Sequence, residues 1–225
     1  MKQWTIIIPC HNEAQSIGAV LTSLKGIVPA AKILVVDDGS TDETASIAAG
    51  CEGVKLIRMD SNSGKGIALQ RGIREADSLS LIFMDGDGQD HPEDLPTLMR
   101  QVDEGARFVN GSKFIGDIEK GGISRLNYFG NRFMSGLINL LFGSRVTDSQ
   151  SGFRAVSREL AASMHLVSKQ YEIETEMLCK ALKAGVEVRE IPVTRKARTG
   201  GRTGFRRIHN GLRILATIFR ERLTS

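Results

Sequence analysis

The sequence predicts an α/β domain with a largely parallel central sheet flanked by helices. Three observations carry this expectation. Short β-rich runs alternate with amphipathic stretches of helical length, the pattern of βαβ units around a buried parallel sheet. These runs end, one after another, in the polar clusters HNE, DDGSTD, NSGKG, DGDGQD and GSK. Ligands of open sheets gather at the carboxyl ends of strands, so five such clusters describe a single polar rim. Finally, 225 residues without a repeat or low-complexity linker suit one domain with a substantial core.

The elements follow in order. TIIIP (Thr5–Pro9) opens the series as a strand, and an amphipathic helix runs from about Ala14 to Leu24. KILVVDD (Lys32–Asp38) is the second strand, and Ser40, Thr41 and Asp42 are good caps for the helix after it. VKLIRM (Val54–Met59) leads into NSGKG and a helix through Ile67, Leu69 and Ile73. SLIFMD ends at the acidic stretch, and a helix restarts near Pro92, Glu93 and Asp94, where proline and acids favour a first turn. RFVNGS (Arg107–Ser112) is a fifth strand. Ser124–Phe142 carries a helical stripe of Leu126, Phe129, Phe133, Leu137 and Leu140 or Leu141, which either core packing or a lipid-facing helix would explain. TDSQSGFRA (Thr147–Ala155) reads as a loop, YEIETEMLCKALKAG (Tyr171–Gly185) as a helix ended by Gly185, and VEVREIPV as one more strand. From about Gly204 to Leu223, a last helix sets Phe205, Ile208, Leu212, Leu215 and Phe219 on one face with arginines around the other.

Bulk properties narrow the function classes. Cys10, Cys51 and Cys179 are too few and too scattered for a disulfide framework or a zinc site, which points to a reducing cytoplasm. The opening MKQWTIIIPCHNE lacks signal-peptide architecture, and no apolar run approaches the ~20 residues that span a bilayer. The net charge of +4 hides an asymmetry: from Arg195 onward there are nine Arg or Lys against the single acid Glu221. A −4 body therefore carries a +8 tail, which wants an anionic partner: phosphate, lipid headgroup or nucleic acid. The tail lacks the aromatic interleaving of a nucleic-acid surface.

Phosphate and cofactor motifs are excluded position by position. A P-loop would need Gly where Met59 stands and Ser or Thr where Gly66 stands. No G-x-G-x-x-G follows the first strand. An EF-hand starting at Asp85 fails at Asp90 and Pro96. What remains is Asp85-Gly86-Asp87 at a strand end. Its two carboxylates can face one divalent cation, Gln89 can add a neutral oxygen, and oxygen ligands suit Mg²⁺ or Mn²⁺. The same residues are also what an acidic turn before a helix would contain. Asp37 and Asp38 are equally ambiguous alone, able to accept from ribose hydroxyls or to cap a helix.

Taken together, IIIPCHNE, VVDDGSTDET, NSGKGIALQRG, MDGDGQDHPEDLP, VNGSK, DSQSGFRA and YEIETEML, with the later IPV and Arg198, resemble a known family. The set is similar to the inverting GT-A glycosyltransferases of family 2, in the branch of dolichol-phosphate mannose synthase and polyprenyl-phosphate sugar transferases, from about Thr5 to Arg207. The resemblance implies a GT-A catalytic domain over 1–203 and a basic amphipathic helix over 204–225, packed on the domain or on a membrane surface. It implies that Pro9, Glu13, Val36 and Asp38 line a nucleoside pocket, with Asp85, Gly86 and Lys113 also on the donor. Asp85, Asp87 and Gln89 would hold Mg²⁺ or Mn²⁺, and Asp87 and Arg198 would act on the diphosphate. Ser151, Arg154 and Arg202 would meet an acceptor phosphate. Three departures stand out: His11 where the family often has Tyr, Lys113 where it has Arg, and Gly201-Arg202-Thr203-Gly204 where it has G-x-S-K. Lys113 keeps the charge but lacks the bidentate fork.

The implied reaction moves a hexose, mannose or glucose, from GDP or UDP to a polyprenyl phosphate, on the cytoplasmic face of a membrane. The expected partners are that nucleotide sugar and lipid, a membrane surface, and a membrane subunit or a second copy, but not nucleic acid. An acceptor hydroxyl would instead need a base, for which Asp148, Glu172 and Glu174 are candidates; a phosphate monoester would not. A non-catalytic nucleotide-sugar-binding subunit is the third possibility. Glu174 and Glu176 are placed to hold Arg154 or Arg198, or to help position the acceptor, while His91, His165 and Cys10 read as structural.

Overall fold

The computed structural model describes residues 4–198 and 207–224. Seven strands form one sheet: β1 (Trp4–Cys10), β2 (Lys32–Asp37), β3 (Val54–Arg58), β4 (Ser80–Phe83), β5 (Phe108–Ile118), β6 (Arg154–Ser157) and β7 (Val188–Arg195). Their order across the sheet is β3-β2-β1-β4-β6-β5-β7. All neighbours are parallel except β6, which runs antiparallel to both β4 and β5. The chain leaves β1 toward β2 and β3 and returns on the other side at β4, so the ends of β1 and β4 flank the switch point where open sheets bind ligands.

Alternation along the strands builds the two sides of the core. Ile7, Leu34, Val36, Leu81 and Phe83 face one helical layer: α3 (Lys65–Glu75), α5 (Arg125–Phe142), α6 (Arg158–Ser163), α7 (Ile173–Lys183) and α8 (Arg207–Leu223). Ile6, Ile8, Ile33, Val35 and Ile82 face the other: α1 (Ile17–Ile27), α2 (Thr44–Ala49) and α4 (Leu95–Asp103). Ile6, Ile7 and Ile8 are all fully buried, each contributing about 1.5–3 kcal/mol of transfer free energy. Asp42 supplies the expected cap, accepting from the Thr44 N–H at 3.0 Å, and Ser124 caps α5 through the Asn127 N–H.

One expectation is corrected, and the two apolar helix stripes left open between core and lipid are placed. The stretch read as a loop, TDSQSGFRA, ends in β6, because Arg154 to Ser157 insert between two buried strands. The apolar stripe of α5 points mostly outward: Leu126, Phe129 and Phe133 are more than 60% exposed, while Asn131, Met134, Ser135 and Ile138 pack inward. In α8 the arrangement is the same. Ile208 and Leu212 are exposed, and the helix packs on α5 and α7 through Asn210, Ile214, Thr217, Ile218 and Glu221. Each helix therefore buries a mixed face, with Met134, Ile138, Ile214 and Ile218 among polar side chains, and leaves much of its apolar stripe exposed. The 203/204 boundary, Arg202 and Phe205 lie outside the described residues. Among the described residues no helix is long and apolar enough to cross a membrane.

Candidate functional site

A cleft of about 1280 Å³ opens along the carboxyl ends of β1, β2 and β4 and continues between α5 and α8. Its first wall is made by loops whose backbones are tied to one another. Asn12 stands in the left-handed region at φ 56° and its amide oxygen accepts from the Thr41 N–H at 2.8 Å. The His11 ring meets the Asp38 carbonyl at 2.8 Å. Asp38 then fastens the NSGKG loop, its two oxygens accepting from Ser63 N–H at 2.7 Å and Gly64 N–H at 2.8 Å.

The acidic loop after β4 is a lattice of alternating charges. Asp85 Oδ1 lies 2.6 Å from Lys65 Nζ, whose other partner at 2.6 Å is Glu174 Oε1 on α7. Asp87 Oδ1 accepts from the Gln89 N–H, and Asp87 Oδ2 from Arg198 Nη1 at 3.0 Å. The other end of the Arg198 guanidinium donates to Glu13, so one cation bridges the loops after β1 and β4. Arg195 donates to Asp90 Oδ1 at 2.6 Å and to Gln89 Oε1 at 2.9 Å. Burial pushes the Asp90 carboxyl up to about 6, with Asp85 and Asp87 adding to it and Arg195 opposing. Burial likewise raises Glu13 against the pull of Arg198. It also raises the Cys10 thiol, helped by Asp37 and Glu13, which leaves that residue a buried, unreactive side chain.

Farther along the cleft Lys113 Nζ donates to Asp148 Oδ2 at 2.5 Å, and Asn131 donates to Asp148 Oδ1 at 3.1 Å. Ser151 lines the cleft, its hydroxyl donating to the Phe153 carbonyl at 3.2 Å.

The cleft gathers Pro9, Glu13, Asp38, Asp85, Gly86, Asp87, Gln89, Lys113, Ser151 and Arg198. It does not gather Val36 and Arg154. Val36 is fully buried in the core under α3, because its place in β2 turns its side chain away from the cleft. Arg154 is 1% exposed; it donates to the backbone carbonyls of Ser151 and Glu174 and stacks over Phe108, so it supports the floor instead of meeting a ligand. The Gln89 oxygen accepts from Arg195, as the Asp87 carboxylate does from Arg198, and its nitrogen donates to Gly122 O and Lys196 O. Glu176 holds neither arginine named for it, accepting instead from the N–H groups of Val167 and Ser168 and pairing with Lys180. Lys65, Arg195, Asp90 and Asn131 were not among the expected residues. The signal for Lys65 was its place in a rim cluster, and for Arg195 its place at the end of the last strand.

Among the described residues no three His, Cys, Asp or Glu side chains are grouped to hold a metal alone. The donor chemistry nevertheless fits Mg²⁺ or Mn²⁺: Asp85 and Asp87 offer hard oxygens, and Arg198 already stands as a cation on Asp87. Mg²⁺ in particular is usually held by one or two carboxylates, with substrate phosphates completing the shell.

Comparison with known proteins agrees with this geometry. The chain is 32% identical over 222 residues to "Glycosyltransferase AglJ" of Haloferax volcanii, covering 98% of this chain and 72% of that one. It is 31% identical over 205 residues to "Polyprenol monophosphomannose synthase" of Mycolicibacterium smegmatis, covering 84% and 76%. Among solved structures, glucosyl-3-phosphoglycerate synthase from Mycobacterium tuberculosis, crystallised with Mn²⁺, UDP and phosphoglyceric acid, superposes with a TM-score of 0.77 at 22% identity, over 100% of this chain and 80% of that one. That likeness shows a shared GT-A fold. The glycosyl transferase family 2 model matches residues 5–164. With a rim of carboxylates and cations at the switch point of a GT-A sheet, the chain belongs to glycosyl transferase family 2 and is a glycosyltransferase.

Proposed function

We propose that the protein transfers a hexose, mannose or glucose, from GDP or UDP to a polyprenyl phosphate, with inversion at the anomeric carbon. One observation carries this reading. The cleft that starts at the acidic loop runs out between α5 and α8, where Leu126 and Ile208 line its mouth and are themselves exposed. An apolar mouth beside a charged floor suits an acceptor with a phosphate head and a hydrocarbon tail. The names of two relatives, the mannose synthase above and "Dolichyl-phosphate hexose transferase" of Haloferax volcanii, support it.

In this reading Glu13 and Asp38 receive the nucleoside, and Asp85, Gly86 and Lys113 face the sugar and diphosphate. Asp85 and Asp87 would hold Mg²⁺ or Mn²⁺, which when bound would supply positive charge against the diphosphate. Arg198 leaves Asp87 and Glu13 to stabilise the same charge. Asp148 is already bound to Lys113 and Asn131, and Glu174 to Lys65, so neither is free to take a proton. A phosphate monoester, anionic at neutral pH, attacks without a base. The exposed faces of α5 and α8 rest on the cytoplasmic surface of a membrane, where each Lys or Arg near anionic lipid adds about 1 kcal/mol.

The experiment is incubation with labelled GDP-mannose or UDP-glucose, a divalent metal, and dolichyl or undecaprenyl phosphate. Label extracted into the organic phase with one donor is the expected result. Label only on a water-soluble hydroxyl acceptor, or none from protein that binds a nucleoside diphosphate, would overturn it.

A further inference from the structure

Lys65 joins three elements at the floor of the cleft, which it helps to line. It is the first residue of α3, Asp85 follows β4, and Glu174 lies on α7, beside the acceptor-side loop 149–152. Nothing in the packing around it is loose. Gly64 has φ +108°, and a Cβ there or on Gly66 would come within 2.3 Å of the backbone oxygens of Lys169 or Ser168, so the start of α3 is wedged against the segment leading into α7. From above, Gly152 closes on the cluster: a Cβ would stand 3.1 Å from the Asp85 carboxylate and 3.2 Å from Lys65 Nζ. From below, Arg154 donates to the Glu174 carbonyl at 2.8 Å. The Tyr171 ring lies 5.8 Å from Nζ.

The charges in this cluster balance: Lys65 and Arg154 against Asp85 and Glu174. Burial works against the Lys65 cation, but the two carboxylates outweigh it and hold its pKa above the ordinary lysine value. A buried ion pair can often be exchanged for apolar groups without loss of stability. Stability alone therefore gives Lys65 no special task. Asp85 does: it lines the cleft, and its carboxylate is oriented by the Nζ contact. A displacement of about 1 Å at a reacting centre can cost on the order of 100-fold in rate.

We propose that Lys65 is a positioning residue for sugar transfer. By holding Asp85 and Glu174 together it fixes the donor-side carboxylate and ties it to the helix flanking the acceptor. This rests on the glycosyl-transfer reading above.

The test compares Lys65→Met, Lys65→Arg, Glu174→Gln and the double variant Lys65→Met/Glu174→Gln. Melting temperature, kcat and KM are measured with the donor that wild type turns over, and affinity for the matching nucleoside diphosphate separately. Lys65→Met leaves the cluster one negative charge in excess and is expected to lower both melting temperature and kcat. The double variant restores balance and melting temperature. Its kcat stays about 30- to 100-fold below that of Glu174→Gln alone, with nucleoside diphosphate affinity changed less than about threefold. Lys65→Arg recovers part of the lost kcat. A double variant whose turnover returns with its melting temperature to the level of Glu174→Gln would reduce Lys65 to a structural role and overturn the proposal. Absence of turnover in wild type with every donor would overturn the reading beneath it.

Discussion

The two ends of the cleft are built on opposite principles. At the acidic end almost every polar atom is fastened: Asp38 to two backbone N–H groups, Asp90 to Arg195, Asp87 to Gln89 and Arg198. At the other end, α5 and α8 leave Leu126, Phe129, Ile208 and Leu212 exposed among the described residues. A polar ligand is recognised by donors and acceptors already in position, because ordering them on binding would cost affinity. A hydrocarbon chain makes no directional bond and needs only unspent apolar surface. The difference teaches that polar recognition is confined to one end of this site and apolar capacity to the other.

The largest expected effect strikes the fastened end. Asp87→Ala should lower kcat/KM by about 10³-fold or more, with loss of metal-dependent nucleoside diphosphate binding in calorimetry. Retention of that binding would move the metal elsewhere. Next comes the scaffold beneath it. Gly66→Ala drives a Cβ to 2.3 Å from the Ser168 carbonyl, and should cost about 2–3 kcal/mol and roughly 4–12 °C in melting temperature. A smaller effect belongs to the open end. Changing Leu126, Phe129, Ile208 and Leu212 to Ser should leave melting temperature within about 2 °C, since exposed positions carry little stability. Binding to anionic vesicles and transfer to a long-chain lipid phosphate should fall about tenfold or more. Unchanged vesicle binding would dissolve the contrast.

The smallest effect concerns pH. Because the Asp90 carboxyl is pushed up to about 6 from an ordinary 3.8, folded protein binds that proton more tightly than unfolded chain does. Its contribution to stability is therefore present below pH 3.8 and lost as pH rises through about 6. Asp90→Asn should melt near wild type at pH 4 and a few degrees above it at pH 7. A difference that does not grow across that range would count against the shift.

Strand-end clusters and βαβ spacing made the acidic end legible, because each feature there is local: a strand, a polar turn, a cap. What escaped was decided at long range. Lys65 finds Asp85 and Glu174, and Arg195 finds Asp90, across spans that no local pattern encodes. The sequence RAVS follows a polar, glycine-containing loop and has only four residues, yet it fills a gap between two buried strands running the other way. The family resemblance places Val36 and Arg154 at the cleft, and the side-chain alternation of their strands turns them inward. On α5 and α8 the periodic signal itself was sound. Periodicity reports that a face is apolar, and says nothing of whether protein or something else covers it.

Arg198 bridges Glu13 after β1 and Asp87 after β4, across the switch point of the sheet. Arg198 thus seats a cation between carboxylates that, on the function proposed above, a metal and diphosphate would engage. Loading the site is an exchange of one positive partner for another, and exchange leaves a mark on time courses. As nucleotide concentration rises, the observed binding rate should level off at the rate at which the guanidinium lets go.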